Sequence, residues 1–366
     1  MKICYLANAA SGHTQHWLKY LLEKGHEVHV ISFEQPDIEL KGLNVHVVKT
    51  KKKYLYISVP YKCFQFRKII NDIKPDIVHA LYVTKYGTIG ALTGFHPFII
   101  SVLGSDVLID PKESFILKNV IDFALHRADF ITSDGENSKD AVINFGINSQ
   151  KITVIFHGVD IKKYNYTMRD EKLREELRIF DSSTIISTRN LYTLYDIETL
   201  IRAAPLVLKK IPDAKFIIAG HGEQKMFLLN LTMELNLMDN IRFIGMIAHD
   251  ELPRYLASAD IYVSTSLSDG GLALSTAEAM ACRLPVIISD FGDNKKWVEN
   301  GRNGFIVPPK DPKSLAEKII YLLENSDIRK EFGLKNSKII EERNNYYNEM
   351  EKMEKLYEKL IERYTL

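Results

Sequence analysis

Little in this chain of 366 residues can cross-link it or seat a metal ion. Its three cysteines, Cys4, Cys63 and Cys282, are unclustered and odd in number. That excludes a disulfide framework and fits free thiols in a reducing compartment. No spacing of cysteine and histidine suits a metal, and none is expected. Long apolar runs are missing as well. Stretches such as Phe98–Leu103 fall far short of the roughly 18 residues a membrane-spanning helix needs. The opening Met1-Lys-Ile-Cys-Tyr-Leu-Ala imitates a signal peptide, but Asn8-Ala-Ala-Ser-Gly-His13 turns polar at once, so it reads as a first strand. An excess of one charge is also absent. The net charge is +1 and the pI about 7.7, so no nucleic-acid partner is called for. A cytoplasmic location is the expectation.

What is present is a globular composition, 46% hydrophobic and 26% charged. The length favours two domains over one core. Across residues 1–165 short β-runs (Ile3–Ala7, Val28–Ser32, Val45–Val48, Ile77–Leu81, Phe98–Leu103, Phe130–Ser133, Ile152–Phe156) alternate with amphipathic helical stretches. The charged segment Ile161–Phe180 has no β pattern and reads as a linker. The alternation restarts over 181–345 with Thr184–Ser187, Phe216–Gly220, Ile241–Gly245, Ile261–Thr265 and Val286–Ser289. Beyond Pro309 the pattern is purely helical. Two doubly wound α/β halves with parallel sheets follow from this order.

The most informative stretch runs from Ser264 to Asp290. A β-run breaks at Asp269-Gly270-Gly271, a helix is predicted over Leu272–Cys282, and Pro285 opens the next β-run. Strand, glycine turn and helix present a helix N-terminus at the carboxyl edge of a sheet, where free N–H groups suit a phosphate. Glu278 stands about 9 Å further along that helix, where a carboxylate can accept from sugar hydroxyls. Taken alone, Gly270-Gly271 is a tight turn and Glu278 a helix-surface acid.

The wider string resembles retaining glycosyltransferases of family four. Glu278-Ala-Met-Ala-Cys282, Leu284-Pro-Val-Ile287 and Gly301-x-x-Gly304-Phe-x-Val-Pro308 match that family's donor-binding segment. The resemblance implies a GT-B fold, two Rossmann-like domains facing across a cleft, with a last helix (346–366) crossing back onto the first. It also implies retention of anomeric configuration, no required metal and no cofactor beyond the nucleotide-sugar substrate, UDP- or GDP-linked. One departure concerns the paired acids. The family places them eight apart, but Gly270 holds that position here, and Asp269 lies nine before Glu278.

Other candidates follow. Arg189, in Ser187-Thr-Arg-Asn-Leu-Tyr, ends a predicted strand and is either a surface charge or, by the resemblance, a diphosphate ligand. The lysine the family carries five or six places on is replaced by Leu194 or Tyr195. Arg189, Asp269 and Asp106 are the candidates for catalysis. Gly270, Gly271, Leu272, Ala273 and Glu278 are expected to hold the donor, with Gly222 and Lys225 of a partial glycine loop that by itself reads as a plain β-to-α turn. Met246 and Ile247 stand where the family grips the base. Ser11, Gly12 and His13 join the first strand to the first helix, where a glycine lets a ligand approach the backbone. With Gly104, Ser105 and His157 they make the expected acceptor side. The histidine that the family carries in its Val-His-Gly-x-Asp segment is Leu103 here, and His157-Gly158 reads equally well as a hinge. His79 and His96 read as core or loop histidines. The basic and aromatic stretch 49–68 is expected either to meet an anionic membrane face or to be a solvated loop before a core helix.

The expected function is sugar transfer from a nucleotide-sugar to a hydroxyl of a glycan or lipid-linked acceptor. Two rivals stand beside it, a nucleotide-sugar epimerase of the same fold and a non-catalytic nucleotide-sugar-binding subunit.

Overall fold

The computed structural model describes residues 1–36, 40–49 and 55–365; the side chains of His13, residues 55–58 and Thr365 lie outside that description. Several apolar runs become strands buried at every position, among them β4 (Ile77–Leu81) and β5 (Phe98–Val102). A strand covered by helices on both faces has no polar side to show, so its sequence does not alternate.

The described chain divides into two units, Met1–His157 with Tyr347–Leu366, and Gly158–Tyr346. The first holds a seven-stranded sheet of order β3-β2-β1-β4-β5-β6-β7. Its other strands are β1 (Lys2–Leu6), β2 (Glu27–Ser32), β3 (Asn44–Val47), β6 (Phe130–Ser133) and β7 (Ile152–Val154). The second holds a six-stranded sheet of order β10-β9-β8-β11-β12-β13. Its members are β8 (Thr184–Ser187), β9 (Lys215–Ala219), β10 (Ile241–Gly245), β11 (Ile261–Ser264), β12 (Val286–Ser289) and β13 (Gly304–Val307). Each described pairing is parallel, as for β1 with β2 and β8 with β9. In both sheets the order reverses beside the first strand, which opens a ligand crevice at the carboxyl ends.

The helix Tyr346–Thr365 packs on the first unit through Met350, Met353, Leu356, Tyr357 and Leu360, all buried. Tyr357 OH lies 2.5 Å from Tyr5 OH and 2.6 Å from His79 Nδ1. His79 Nε2 continues to Ser101 Oγ at 2.7 Å, and burial pushes its pKa down to about 3. A neutral imidazole there ties helix to sheet as a core histidine.

Three stretches differ from the sequence reading. The predicted linker 161–180 packs within the second unit, with Tyr164 and Leu173 buried and a short helix at Glu171–Glu176. The long helical run after Ser337 breaks at Asn344, whose carbonyl accepts from Val159 N at 2.8 Å. The strand β13 was not foreseen, because its four residues begin on a glycine and stop at Pro308.

Of the 49–68 stretch, residues 50–54 lie outside the described residues and 55–68 belong to the helix Leu55–Ile73. There Tyr61 and Phe64 are exposed, while Phe66 enters the core. No described helix is long and apolar enough to cross a membrane.

Candidate functional site

In the second unit, the buried strand β8 delivers Arg189 to the carboxyl edge of the sheet. Only 8% of the residue is exposed. Its guanidinium is held on three sides. Nη1 donates to Ser275 Oγ at 3.2 Å, while Nη2 donates to Ser266 Oγ at 3.2 Å and to Asp269 Oδ1 at 2.6 Å. The Tyr195 ring covers one face at 4.2 Å. Burial is the strongest single influence and lowers the Arg189 pKa, but the Asp269 charge, the tyrosines Tyr262 and Tyr195 and the hydrogen bond to Asp269 together outweigh it, and the net shift is upward, so the cation is secure.

Tyr195 is held there by the neighbouring strand end. Thr265 Oγ1 donates to the carbonyls of Tyr195 and Asp196 at 3.0 and 2.8 Å, and Leu267 N to that of Leu194 at 2.8 Å. Tyr195 stands six places after Arg189, within the window where the resembling family carries a lysine. An aromatic face backs the one guanidinium in place of a second cation.

The turn Gly270–Ala273 leads from Asp269 into the helix Leu274–Ala281, whose N-cap is Ala273. Ser275, in the first turn, accepts from Arg189 and from Tyr262 OH at 2.9 Å. With both lone pairs engaged, its own O–H is left to donate. Guanidinium, hydroxyl and helix N-terminus therefore converge on one spot that suits an anion. The helix is two residues shorter at its start than predicted, which puts Leu272 and Ala273 in the turn. Glu278 lies further along it, 5% exposed. Burial raises its pKa to about 7, against the hydrogen bond from Tyr164 and the Lys163 charge. Tyr164 OH also meets His249 Nδ1 at 2.9 Å.

Gly222 has a structural reason to be glycine. A Cβ there would stand 2.2 Å from the Leu191 carbonyl oxygen, because Leu191 N and O bond to the loop of residues 221–224. Lys225 opens the next helix and is exposed. Met246, 64% exposed, stands beside that loop, its sulfur 3.0 Å from His221 Nδ1, and half-buried Ile247 follows it.

In the first unit, Gly104 (φ +92°) turns β5 into a short helix starting at Ser105. Asp106 is wholly buried and accepts backbone N–H groups from Val83 at 2.9 Å and Leu103 at 3.0 Å. Burial lifts its pKa to about 7 against those two bonds. Both oxygens are thus spent on holding two loops. Ser105 Oγ meets Tyr82 OH at 3.1 Å, and Tyr82 OH donates to Asp110 Oδ2 at 3.2 Å. Tyr82 opens a π-helical turn, Tyr82–Gly87, at φ +75°. A strained non-glycine at a strand end marks a place worth testing for function. Ser11 is the N-cap of the helix Gly12–Glu23, and a Cβ added at Gly12 would meet no described atom within 4 Å. His157 stacks on Trp17 and His16, and its carbonyl accepts from Trp17 Nε1 at 3.3 Å.

The structure thus joins Arg189, Asp269 and the Gly270–Ala273 turn in one constellation, with the Gly222 and Met246 loops on the same sheet edge. Ser266, Ser275, Tyr262, Tyr195, Tyr164 and Tyr82 were not singled out from sequence. The serines carry a faint signal, hydroxyls clustered where a strand gives way to a helix. Of the tyrosines only Tyr195 carries one, its place in the window where the resembling family has a lysine.

Residues 169–339 match the profile of glycosyl transferases group 1, and residues 2–135 that of glycosyl transferase 4-like domains. The later segment is thus a group 1 glycosyltransferase domain and the earlier one a glycosyl transferase 4-like domain, and the chain is a glycosyltransferase. It is 24% identical over 351 residues to N-acetyl-alpha-D-glucosaminyl L-malate synthase of Bacillus anthracis, covering 90% of this glycosyltransferase and 88% of that one. It is 25% identical to an uncharacterized glycosyltransferase of Methanocaldococcus jannaschii, over 68% of this chain but 62% of the relative's length. The structure of Anabaena HepE in complex with UDP superimposes with a TM-score of 0.84 at 21% identity, over 98% of this chain and 100% of that one. The fold is GT-B.

Proposed function

We propose that this glycosyltransferase moves a sugar from a UDP- or GDP-linked donor to a hydroxyl of a glycan or lipid-linked acceptor, with retention of configuration. The observation that carries the reading is Arg189 bonded to Ser275 in the first turn of the Leu274–Ala281 helix. It gives a departing diphosphate a guanidinium, a hydroxyl and a helix N-terminus together. Support comes from Anabaena HepE, solved with UDP and with UDP-glucose.

No carboxylate stands out as a nucleophile, so retention is assigned to front-face attack, in which the leaving phosphate takes the acceptor's proton. Positive charge from Arg189 and the helix dipole steadies that phosphate, and the reading calls for no metal ion. Glu278 is assigned to the ribose, Met246 and Ile247 to the base, and the Asp269–Ala273 loop to the sugar. Lys225 is placed at the diphosphate, and Gly222 shapes the loop beside it. Ser11, Gly12, His13, Gly104, Ser105 and His157 are assigned to the acceptor side, with Asp106 acting by holding the Leu103–Ser105 turn in place. Contact of the 49–68 stretch with an anionic membrane is supported by exposed Tyr61 and Phe64 beside Lys62, and cosedimentation with anionic vesicles tests it.

A panel of nucleotide-sugars, incubated with and without acceptor, tests the main reading. Acceptor-dependent release of nucleoside diphosphate supports transfer. Interconversion of donor sugars without acceptor would mean an epimerase, and binding without turnover a non-catalytic subunit.

A further inference from the structure

The Arg189–Asp269 contact holds more than an ion pair. A guanidinium offers a phosphate or carboxylate two two-pronged edges, Nη1 with Nη2 and Nε with Nη2, so Nη2 belongs to both. In this protein both Nη2 hydrogens are committed, one to Ser266 Oγ and one to Asp269 Oδ1. Nε–H has no hydrogen-bond partner among the described residues, although Arg189 is 92% buried. Nη1 gives one bond, to Ser275. The Tyr195 ring blocks a face. A donor phosphate can thus engage either edge bidentately only by taking Nη2 from one of its present acceptors. Ser266 is anchored, since its Oγ also donates to Ser268 O at 3.0 Å and its carbonyl accepts from Ser289. Asp269 is followed by Gly270-Gly271, a backbone free to re-orient.

We infer that Asp269 is an internal counter-ion standing in for the donor's phosphate, so that a nucleoside diphosphate binds Arg189 by exchange with it. The inference rests on the donor reading above and gives Asp269 a different task from gripping the sugar. Its carboxylate keeps the buried guanidinium neutralised while the site is empty, when an unpaired buried charge would be costly. Tyr195 holds the guanidinium plane during the exchange. The cost of displacing Asp269 is subtracted from the affinity for any phosphate, and a ligand without phosphate does not meet it.

Calorimetric titration of the full chain with UDP and GDP, and with uridine and guanosine as phosphate-free controls, tests the exchange. Asp269→Asn should bind the preferred nucleoside diphosphate on the order of tenfold more tightly than wild type, with nucleoside affinity unchanged. Asp269→Glu keeps the charge and should bind no more tightly than wild type. Equal or weaker diphosphate binding by Asp269→Asn overturns the inference, as does a parallel gain for the bare nucleoside. Should that variant not fold, Asp269→Ser, which leaves the guanidinium a hydroxyl acceptor, decides on the same criteria. If neither UDP nor GDP binds wild type or variants, the donor reading itself fails, and the exchange with it. Binding by wild type with no gain in the variant removes only the exchange.

Discussion

At the carboxyl ends of the first sheet stand carboxylates: Glu34 beyond β2, Asp106 and Asp110 beyond β5. The cation beside them, Lys85, is already paired with Glu34 at 2.8 Å. At the carboxyl ends of the second sheet stand a buried guanidinium, serine hydroxyls and a helix N-terminus. The strand order is the same in both, reversing next to the first strand. Topology thus selects the edge where ligands meet a sheet but leaves its charge open, because residues just past a strand end take no part in the strand pairing that sets the order. One edge is lined by acids already engaged with backbone N–H groups, Tyr82 and Lys85; the other sets a guanidinium beside hydroxyls and a helix N-terminus, which suits an anion.

Arg189→Ala strikes the second edge at its centre. Turnover with the preferred nucleotide-sugar should fall on the order of a hundredfold or more, measured as kcat/KM. Unchanged turnover would remove the anion-receiving character of that edge and the contrast with it. Asp106→Ala strikes the first edge, and there the expected damage is to stability. Two buried N–H groups lose their acceptor, at about 2–3 kcal/mol in denaturant unfolding. A folded, equally stable but inactive variant would instead make Asp106 a participant in the chemistry.

Buried Glu278 also allows a titration test. Glu278 has a folded-state pKa near 7, above that of an exposed carboxylate. The native state therefore keeps a proton that the unfolded chain has lost, and stability falls as pH rises from about 4.5 to 7. Glu278→Gln should be less sensitive than wild type over that window, by on the order of 2 kcal/mol in unfolding free energy between pH 5 and 8. An identical pH profile would mean that Glu278 is ionised throughout. The smallest effect is expected for Tyr82→Phe, which removes the bonds to Ser105 and Asp110 but keeps the ring. It should cost about 1 kcal/mol or less in stability. A loss confined to acceptor KM would tie the strained turn to acceptor binding.

Sequence reading failed wherever burial reversed the meaning of a residue type. The charged stretch 161–180 looked like a linker, yet Arg174 is buried, donating to the carbonyls of Ser258, Ile179, Phe180 and Ser182. An arginine held by four carbonyls is a core residue, and nothing in its neighbours' charge reveals that. Gly222 could be read as a turn glycine or as a donor contact, and the backbone at Leu191 favours the turn.

Periodicity and turn chemistry alone determined the alternation of strands and helices, the two sheets and the position of the glycine turn before the Leu274–Ala281 helix. These follow from local preference and from apolar runs that only a sheet covered on both faces can bury. Which polar groups meet at the strand ends was decided by tertiary structure. Arg189, Tyr195, Ser266, Asp269 and Ser275 come from separate stretches of chain, and only the stitching of Thr265 and Leu267 to the 194–196 loop brings the aromatic face under the guanidinium. Bonds across that distance in sequence depend on the register between β8 and β11, which no local pattern encodes.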